Sequence, residues 1–109
     1  MSAYEELLKE LQEGETVEAI VFGKYGGGGY CEIEDGVPVN KKGVVLTLEE
    51  AEPYMQTWSF YGGFGAPECY ATNIWTNKRI LWVTQYDGST NLDSAARNPT
   101  AYKPKMPGG

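Results

Sequence analysis

The chain has 109 residues, of which 41% are hydrophobic, and a formal net charge of −6. This length and apolar content suit one domain with a small core and argue against wholesale disorder. The nine Lys and Arg residues are scattered, so direct nucleic-acid binding is not expected. No apolar run approaches the ~18 residues of a membrane helix, and Met1–Glu10 lacks a signal-peptide pattern, so we expect a cytoplasmic protein without membrane contact.

The first half of the chain predicts two helices with a strand and a second, short strand between them. Ser2 and Glu5 have the spacing of a helix capping box, and Thr47 and Glu50 repeat it. After the first box, apolar residues recur at helical spacing: Tyr4, Leu7, Leu8 and Leu11. Gly14 is suited to end the first helix, and Pro53 predicts that the second helix is short or kinked. Between the two helices, a strand is predicted at Thr16–Phe22 and a shorter one at Val44–Leu46.

The second half predicts a meander of strands. Tyr70–Thr76 and Arg79–Tyr86 have strong strand patterns and are separated by the plausible tight turn Asn77–Lys78. Asp87–Gly88 is a stronger turn signal and leads into a shorter strand at Ser89–Asp93. The order of elements predicts an α+β fold, a small antiparallel sheet with one or two helices packed on it.

Residues 1–99 are expected to form this single α+β domain, followed by a Pro- and Gly-rich tail at residues 100–109. Because a small core with long loops is only marginally stable alone, we also expect a homo-oligomer.

The absence of histidine bears most directly on function. It excludes Ser-His-Asp and Cys-His catalysis as well as histidine-ligated zinc. Cys31 and Cys69 match no metal-ligand spacing and are predicted to be free thiols, with Cys69 a small buried residue rather than a nucleophile. We therefore expect a binding protein that uses no metal or cofactor, with an enzyme that depends on carboxylates alone as the catalytic alternative.

The glycine run Gly26–Gly29 lacks the residues that complete a phosphate-binding loop, so an ordinary flexible loop is the favoured interpretation. The alternative is that Lys24 and Tyr25 close over a small anionic ligand beside bare backbone amides. A second glycine-rich segment carries four aromatic residues that either form a minor core or face a ligand: Trp58, Phe60, Tyr61 and Phe64. Trp75 and Trp82 are predicted to pack in the core, because aromatic residues dominate small cores.

Arg97 and Asn98 precede Pro99 and follow a run of small residues. A guanidinium beside an amide, on a backbone that proline restrains, suits a phosphate or carboxylate ligand. A surface arginine paired with Asp93 or Asp87 is an equally open interpretation.

The stretch Ile74–Thr90, the motif Arg97–Pro99 and the segment Glu15–Gly23 resemble those of small phage-encoded proteins. Among these, the chain is most similar to the Thoeris anti-defence family that sequesters cyclic nucleotide signals. The resemblance implies an oligomeric sponge that binds a cyclic ADP-ribose-type or cyclic-oligonucleotide messenger without cleaving it. It also implies ligand-binding roles, as rings for the base and donors for the phosphates, for Tyr70, Trp75, Arg79, Arg97 and Asn98.

The alternative function is that of an acidic inhibitor that binds a host defence protein, possibly as a nucleic-acid mimic. Clustering of the carboxylates on one face would favour this alternative.

Overall fold

A computed structural model describes residues 2–26, 36–60, 69–86 and 89–97. The elements in chain order are α1 (Ala3–Glu10), β1 (Val17–Tyr25), a 3-10 turn (Val39–Lys41), α2 (Leu48–Met55), β2 (Tyr70–Thr76), β3 (Arg79–Tyr86) and β4 (Ser89–Ala96). The four strands form one antiparallel sheet in the order β1-β2-β3-β4. Two helices and this sheet confirm the predicted α+β fold.

Both predicted capping boxes are present. The Ser2 hydroxyl accepts a hydrogen bond from the Glu5 amide at 3.2 Å, and the Glu5 carboxylate accepts one from the Ser2 amide at 3.1 Å. The equivalent pair of bonds starts α2. Helix α1 ends at Glu10, where Leu11 turns to an extended conformation, so the left-handed Gly14 (φ 73°) lies in the following turn instead of ending the helix.

The strand predictions differ from the structure mainly in length. β2 and β3 have the predicted bounds, whereas β1 continues to Tyr25 and β4 continues to Ala96. The end of β4 is rich in Ser and Ala, which favour strands weakly, but its register with β3 is unbroken and pairing with a neighbour outweighs local preference. At Val44–Leu46 the predicted short strand is reduced to one bridge between Leu46 and Ile20.

The core lies between the helices and one side of the sheet, which we call the inner face. Its buried strand residues include Ile20, Phe22, Tyr70, Thr72, Ile74 and Leu81. From the helices, Leu7 and Met55 pack against them. Trp58 and Phe60 join this core with their rings edge to face at 5.1 Å, so the minor-core interpretation is correct for both.

Several predictions fall outside the described residues. They concern Gly27–Gly29, Cys31, the aromatic residues Tyr61 and Phe64, Asn98, and the tail at residues 100–109. Within the described ranges, neither helix has the length and apolar content needed to cross a membrane.

Candidate functional site

The side of the sheet opposite the helices carries two cross-strand rows of side chains. The first row is Ala19, Trp75, Ile80 and Ala95, and the second is Val21, Asn73, Trp82 and Asp93. We call these eight residues the outer face. Both helices pack on the inner face, so neither of them covers this surface.

Trp75 and Trp82 are partly exposed on the outer face and do not belong to the buried core. The prediction that both pack in the core is therefore not met. The reason is the period of two along a strand: Ile74 and Leu81 point inward, so the tryptophan that follows each of them points outward. Because Asn73 lies directly opposite Trp82, Trp75 and Trp82 are diagonal neighbours across β2 and β3.

A shallow depression of about 270 Å³ adjoins the second row, at the β1 side of the outer face. Its lining includes Val21, Gly23, Gly43, Ala71 and Asn73. A Cβ added at Gly23 would lie 3.3 Å from the Ala71 side chain, so glycine permits the close approach of the two strands here. The depression extends the surface beside the tryptophans with a mainly apolar floor.

Arg97 lies at the other end of the outer face, just after β4. Its guanidinium donates a hydrogen bond to the Thr76 carbonyl at 2.8 Å and forms an ion pair with Glu18. The side chains of Arg97 and Glu18 are 37% and 48% exposed, respectively. The surface-pair interpretation of Arg97 is thus met, but with Glu18 as the partner rather than Asp93. Asp87 lies outside the described residues. Since Thr76 follows Trp75 directly, the structure brings Arg97 and Trp75 to one end of the sheet.

Arg79 lies on the opposite side, in a buried ion pair with Glu15. The Arg79 Nε lies 2.8 Å from Glu15 Oε2, and its Nη2 lies 3.0 Å from Glu15 Oε1. The same Nη2 donates to the Glu10 carbonyl at 2.6 Å, which ties the sheet to the end of α1. Thr76 also donates its hydroxyl to Glu15 at 2.6 Å. We call Glu15, Thr76 and Arg79 the clasp.

The carboxyl of Glu15 has a strongly lowered pKa. Burial raises it, but hydrogen bonds from Arg79, Thr76 and the Gln12 backbone outweigh that effect and leave the pKa at about 2. Glu15 is therefore charged at neutral pH, and Arg79 is its counterion. The guanidinium of Arg79, which was predicted to bind a ligand, therefore stabilises the fold instead.

Tyr70 is fully buried on the inner face, away from Trp75. Its ring packs against Tyr25 at 5.1 Å and against Trp58 at 5.3 Å, and the Lys42 ammonium lies 5.4 Å from its centre. Because Tyr25 joins this cluster, Lys24 and Tyr25 do not project together over a ligand: Lys24 is exposed, whereas Tyr25 packs on the core.

The negative charge is distributed unequally between the two sides of the molecule. The helices carry four exposed glutamates, Glu5, Glu10, Glu49 and Glu50. Asp93 is the one acidic residue in the two rows of the outer face, and its carboxylate accepts a hydrogen bond from the Ser94 amide at 2.8 Å. The capping boxes and the favourable field at helix N-termini explain the positions of Glu5, Glu49 and Glu50, which lie in first turns, but not that of Glu10 at the end of α1.

Cys69 is buried, as predicted, and burial together with the charge of Glu6 raises its pKa to about 11. The thiol is therefore protonated and unreactive at neutral pH. Among the described residues, no group of three or more Cys, Asp and Glu is arranged to hold a metal ion.

Of the five residues predicted to bind a ligand, the structure brings Trp75 and Arg97 together, while Tyr70 and Arg79 lie on the inner side of the sheet. The sequence analysis did not propose Asn73 or Trp82 as part of a site. Strand alternation together with the predicted hairpin would have been enough to predict that both lie beside Trp75. No protein-family model, curated protein or solved structure matches this chain.

Proposed function

We propose that this chain binds and sequesters a small cyclic nucleotide, of the cyclic ADP-ribose or cyclic-oligonucleotide type, on its outer face without cleaving it. The observation that carries the proposal is that Trp75, Trp82 and Arg97 share one side of the sheet, which neither helix covers. The resemblance to phage-encoded anti-defence proteins supports the same function, in which removing a messenger protects the phage in the host cytoplasm.

The outer face has the chemistry that a nucleotide requires. A base stacks well on an indole ring, and such stacking contributes about 1–3 kcal/mol per base. The Asn73 amide, directly opposite Trp82, offers both a donor and an acceptor for the edge of a stacked base. Arg97 offers charge-assisted hydrogen bonds to a phosphate.

The hydrogen bond to the Thr76 carbonyl supports the role of Arg97, because it holds the guanidinium at the end of the outer face. The exposed Glu18 is then a competitor that a phosphate displaces. An exposed ion pair is worth only about 0–1 kcal/mol, so this displacement costs little.

The net charge of −6 is compatible with an anionic ligand because of where the glutamates lie. The four exposed glutamates of the helices are on the far side of the sheet from the tryptophans. At physiological ionic strength, charges separated by more than about 8 Å are largely screened. A ligand phosphate beside Arg97 therefore experiences the local cation more strongly than the distant carboxylates.

The proposal is tested by titrating the purified protein with cyclic ADP-ribose isomers and with cyclic di- and trinucleotides. We expect at least one of them to raise the melting temperature, to quench tryptophan fluorescence, and to be recovered unchanged by mass spectrometry. The substitutions Trp82→Ala and Arg97→Met are each expected to weaken binding about tenfold or more, because each removes about 1–3 kcal/mol of stacking or charged hydrogen bonding.

Lys9→Met is the matched control for Arg97→Met, since it removes the same charge from the exposed surface of α1 and should leave the affinity unchanged. If no ligand of this panel binds, or if both methionine variants weaken binding equally, the proposal is wrong. Recovery of a chemically altered nucleotide would replace sequestration with catalysis.

A second candidate function is supported by the exposed glutamates that gather on the two helices. A surface of this kind suits an acidic inhibitor that occupies a basic groove of a host defence protein. The double substitution Glu10→Gln and Glu49→Gln leaves both capping boxes intact. It should abolish binding to such a target, measured with the purified partner, and leave nucleotide binding unchanged.

A further inference from the structure

A second depression lies at the end of the sheet where the β2–β3 turn meets the turn that follows α1. We call it the inner depression. Because buried Leu81 lies opposite Ser94 in the register of β3 with β4, Ser94 is on the inner side of the sheet, and so is this depression. It has a volume of about 190 Å³ and is lined by Gln12, Lys78, Arg79, Ser94 and Ala96.

The lining of the inner depression carries cations and no carboxylate. Two of its five residues, Lys78 and Arg79, are basic, and none is acidic. Arg79 is balanced by Glu15 in the clasp, whereas Lys78 forms no ion pair with any described residue. In a chain whose formal net charge is −6, this depression therefore has a positive charge without a counterion in the part that the structure describes.

The lining residues also have hydrogen-bond donors that the described structure does not use. The Lys78 ammonium donates to the Glu13 carbonyl at 2.7 Å, and two of its three N–H groups remain. The Gln12 side chain is exposed and donates to no described residue. The Nη1 of Arg79 reaches only the Ser94 hydroxyl, at the long distance of 3.5 Å. These donors surround one small space.

The turn that carries Lys78 is fixed to the chain that follows α1. The Asn77 amide group donates to the Gly14 carbonyl at 3.0 Å, and its oxygen accepts the Thr16 amide at 2.8 Å. The Lys78 amide donates to the Thr76 hydroxyl at 3.1 Å. Because these bonds hold the turn in place before a ligand arrives, binding at Lys78 costs less conformational entropy.

From these observations we propose that the inner depression is a binding site for a phosphate group. Lys78 and the Nη1 of Arg79 supply charged donors, and Gln12 and Ser94 supply neutral ones. Donors that converge from the turn after α1, from β3 and from β4 suit the tetrahedral oxygens of a phosphate better than the two oxygens of a planar carboxylate. Arg79 keeps its role in the clasp, because the ligand uses only the nitrogen that Glu15 leaves unbound.

The size of the inner depression limits the ligand to a small molecule. Sites that enclose drug-sized ligands measure roughly 300–1,000 Å³. A volume of about 190 Å³ suits inorganic phosphate or the phosphate group of a small monoester, and it is too small for a whole cyclic nucleotide. This site is therefore additional to the outer face, on the other side of the sheet, and does not depend on it.

The first test is a nuclear magnetic resonance titration of the isotope-labelled full chain with inorganic phosphate at pH 7, with chloride keeping the ionic strength constant. We expect saturable shifts at Gln12 and Ser94 without comparable shifts of the Trp75 and Trp82 indoles, and a rise in melting temperature that follows saturation. Acetate should bind about tenfold more weakly. Ribose 5-phosphate identifies the source: tighter binding than inorganic phosphate assigns the site to a monoester, and weaker binding assigns it to the free ion.

The second test removes the cation that has no counterion. Lys78→Met should weaken phosphate binding about tenfold or more, through the loss of charge-assisted hydrogen bonds. Lys24→Met is the matched control, because Lys24 is also exposed but lies near the far end of β1 from Val17, which pairs with Thr76. Gln12→Leu removes only a neutral donor and should weaken binding several-fold. Circular dichroism verifies that each variant is folded.

The proposal is overturned if phosphate shows no saturable binding, if chloride at the same ionic strength produces the same shifts, or if acetate binds as well as phosphate. Equal effects of Lys78→Met and Lys24→Met also overturn it, as do shifts at the tryptophan indoles without shifts at Gln12, because the ion then binds elsewhere. No nucleotide is present in these measurements, so failure here leaves the nucleotide-binding proposal untouched.

Discussion

The inner and outer faces of the sheet are formed by the same strands, but the inner face is buried and the outer face is partly exposed. On the inner face, Phe22, Tyr70 and Ile74 are fully buried against the helices. On the outer face, tryptophans stand among alanines and stay partly exposed. Ile74 and Trp75 are neighbours in β2, and their side chains point to opposite faces because side chains alternate along a strand. This alternation decides whether a residue stabilises the fold or is accessible to a ligand.

The two arginines of the chain show the same contrast. Arg79 and Arg97 are both cations near Thr76, and each pairs with one glutamate. Arg79 holds its partner, Glu15, through two hydrogen bonds, and the side chain of Glu15 is fully buried. Arg97 and Glu18 meet at the surface. The buried pair is a structural element, whereas the exposed pair is weak enough to exchange its carboxylate for a ligand.

The largest expected difference between the faces is in core packing. Phe22→Ala should lower the free energy of unfolding by about 3–5 kcal/mol, because it leaves a closed cavity among buried rings. Trp82→Ala should cost under about 2 kcal/mol, because the space it opens is joined to solvent. Urea denaturation of both variants measures the difference, and equal losses would show that the outer face is part of the core.

The clasp provides the next largest effect. Arg79→Met should destabilise the fold by about 3 kcal/mol, because it leaves the buried Glu15 carboxylate without its counterion. Arg97→Met is the matched control, and its cost should stay below about 1 kcal/mol because the Glu18 pair is exposed. Urea denaturation at pH 7 separates the two, and similar losses would contradict the assignment of Arg79 to structure and Arg97 to the surface.

The clasp should also make stability depend on pH. The pKa of Glu15 is about 2 in the folded chain and about 4.5 when unfolded, so its contribution is complete above pH 4.5 and is lost as the pH falls toward 2. At about 1.4 kcal/mol per pH unit, the loss should reach about 2 kcal/mol by pH 3. Unfolding measured from pH 7 to pH 3 should show this decline, and Glu15→Gln should remove that part of it.

Local patterns in the sequence predict much of this fold. The capping boxes at Ser2 and Thr47 give the start of each helix, because side-chain hydrogen bonds three residues apart are a local property. The alternation in Tyr70–Thr76 gives both the strand and its two faces. The end of β4 was missed, because residues such as Ala95 join a strand only through pairing with β3.

The candidate site was harder to predict, since it depends on which residues from distant segments meet. Nothing local distinguishes Arg79 from Arg97; Glu15 is 64 positions away from Arg79, and Glu18 is 79 positions away from Arg97. Composition predicts that Trp75 and Trp82 pack in the core. Each of them directly follows an inward-pointing residue, Ile74 or Leu81, so strand alternation places both on the outer face. The missing information is the long-range pairing that decides which face the helices cover.

The smallest effect on stability, and the sharpest probe of the outer face, is expected from Glu18→Gln. Glutamine keeps the size of the side chain and removes the charge that competes with a phosphate for Arg97. Because the ion pair is exposed, the free energy of unfolding measured with urea should change by less than about 1 kcal/mol. Affinity for the nucleotide should rise several-fold, because the guanidinium no longer gives up an ion pair when the ligand binds. Glu10→Gln, which removes the same charge from α1, should leave the affinity unchanged. If Glu18→Gln instead weakens binding, Glu18 positions Arg97 rather than competing with the ligand, and the phosphate must approach from another side.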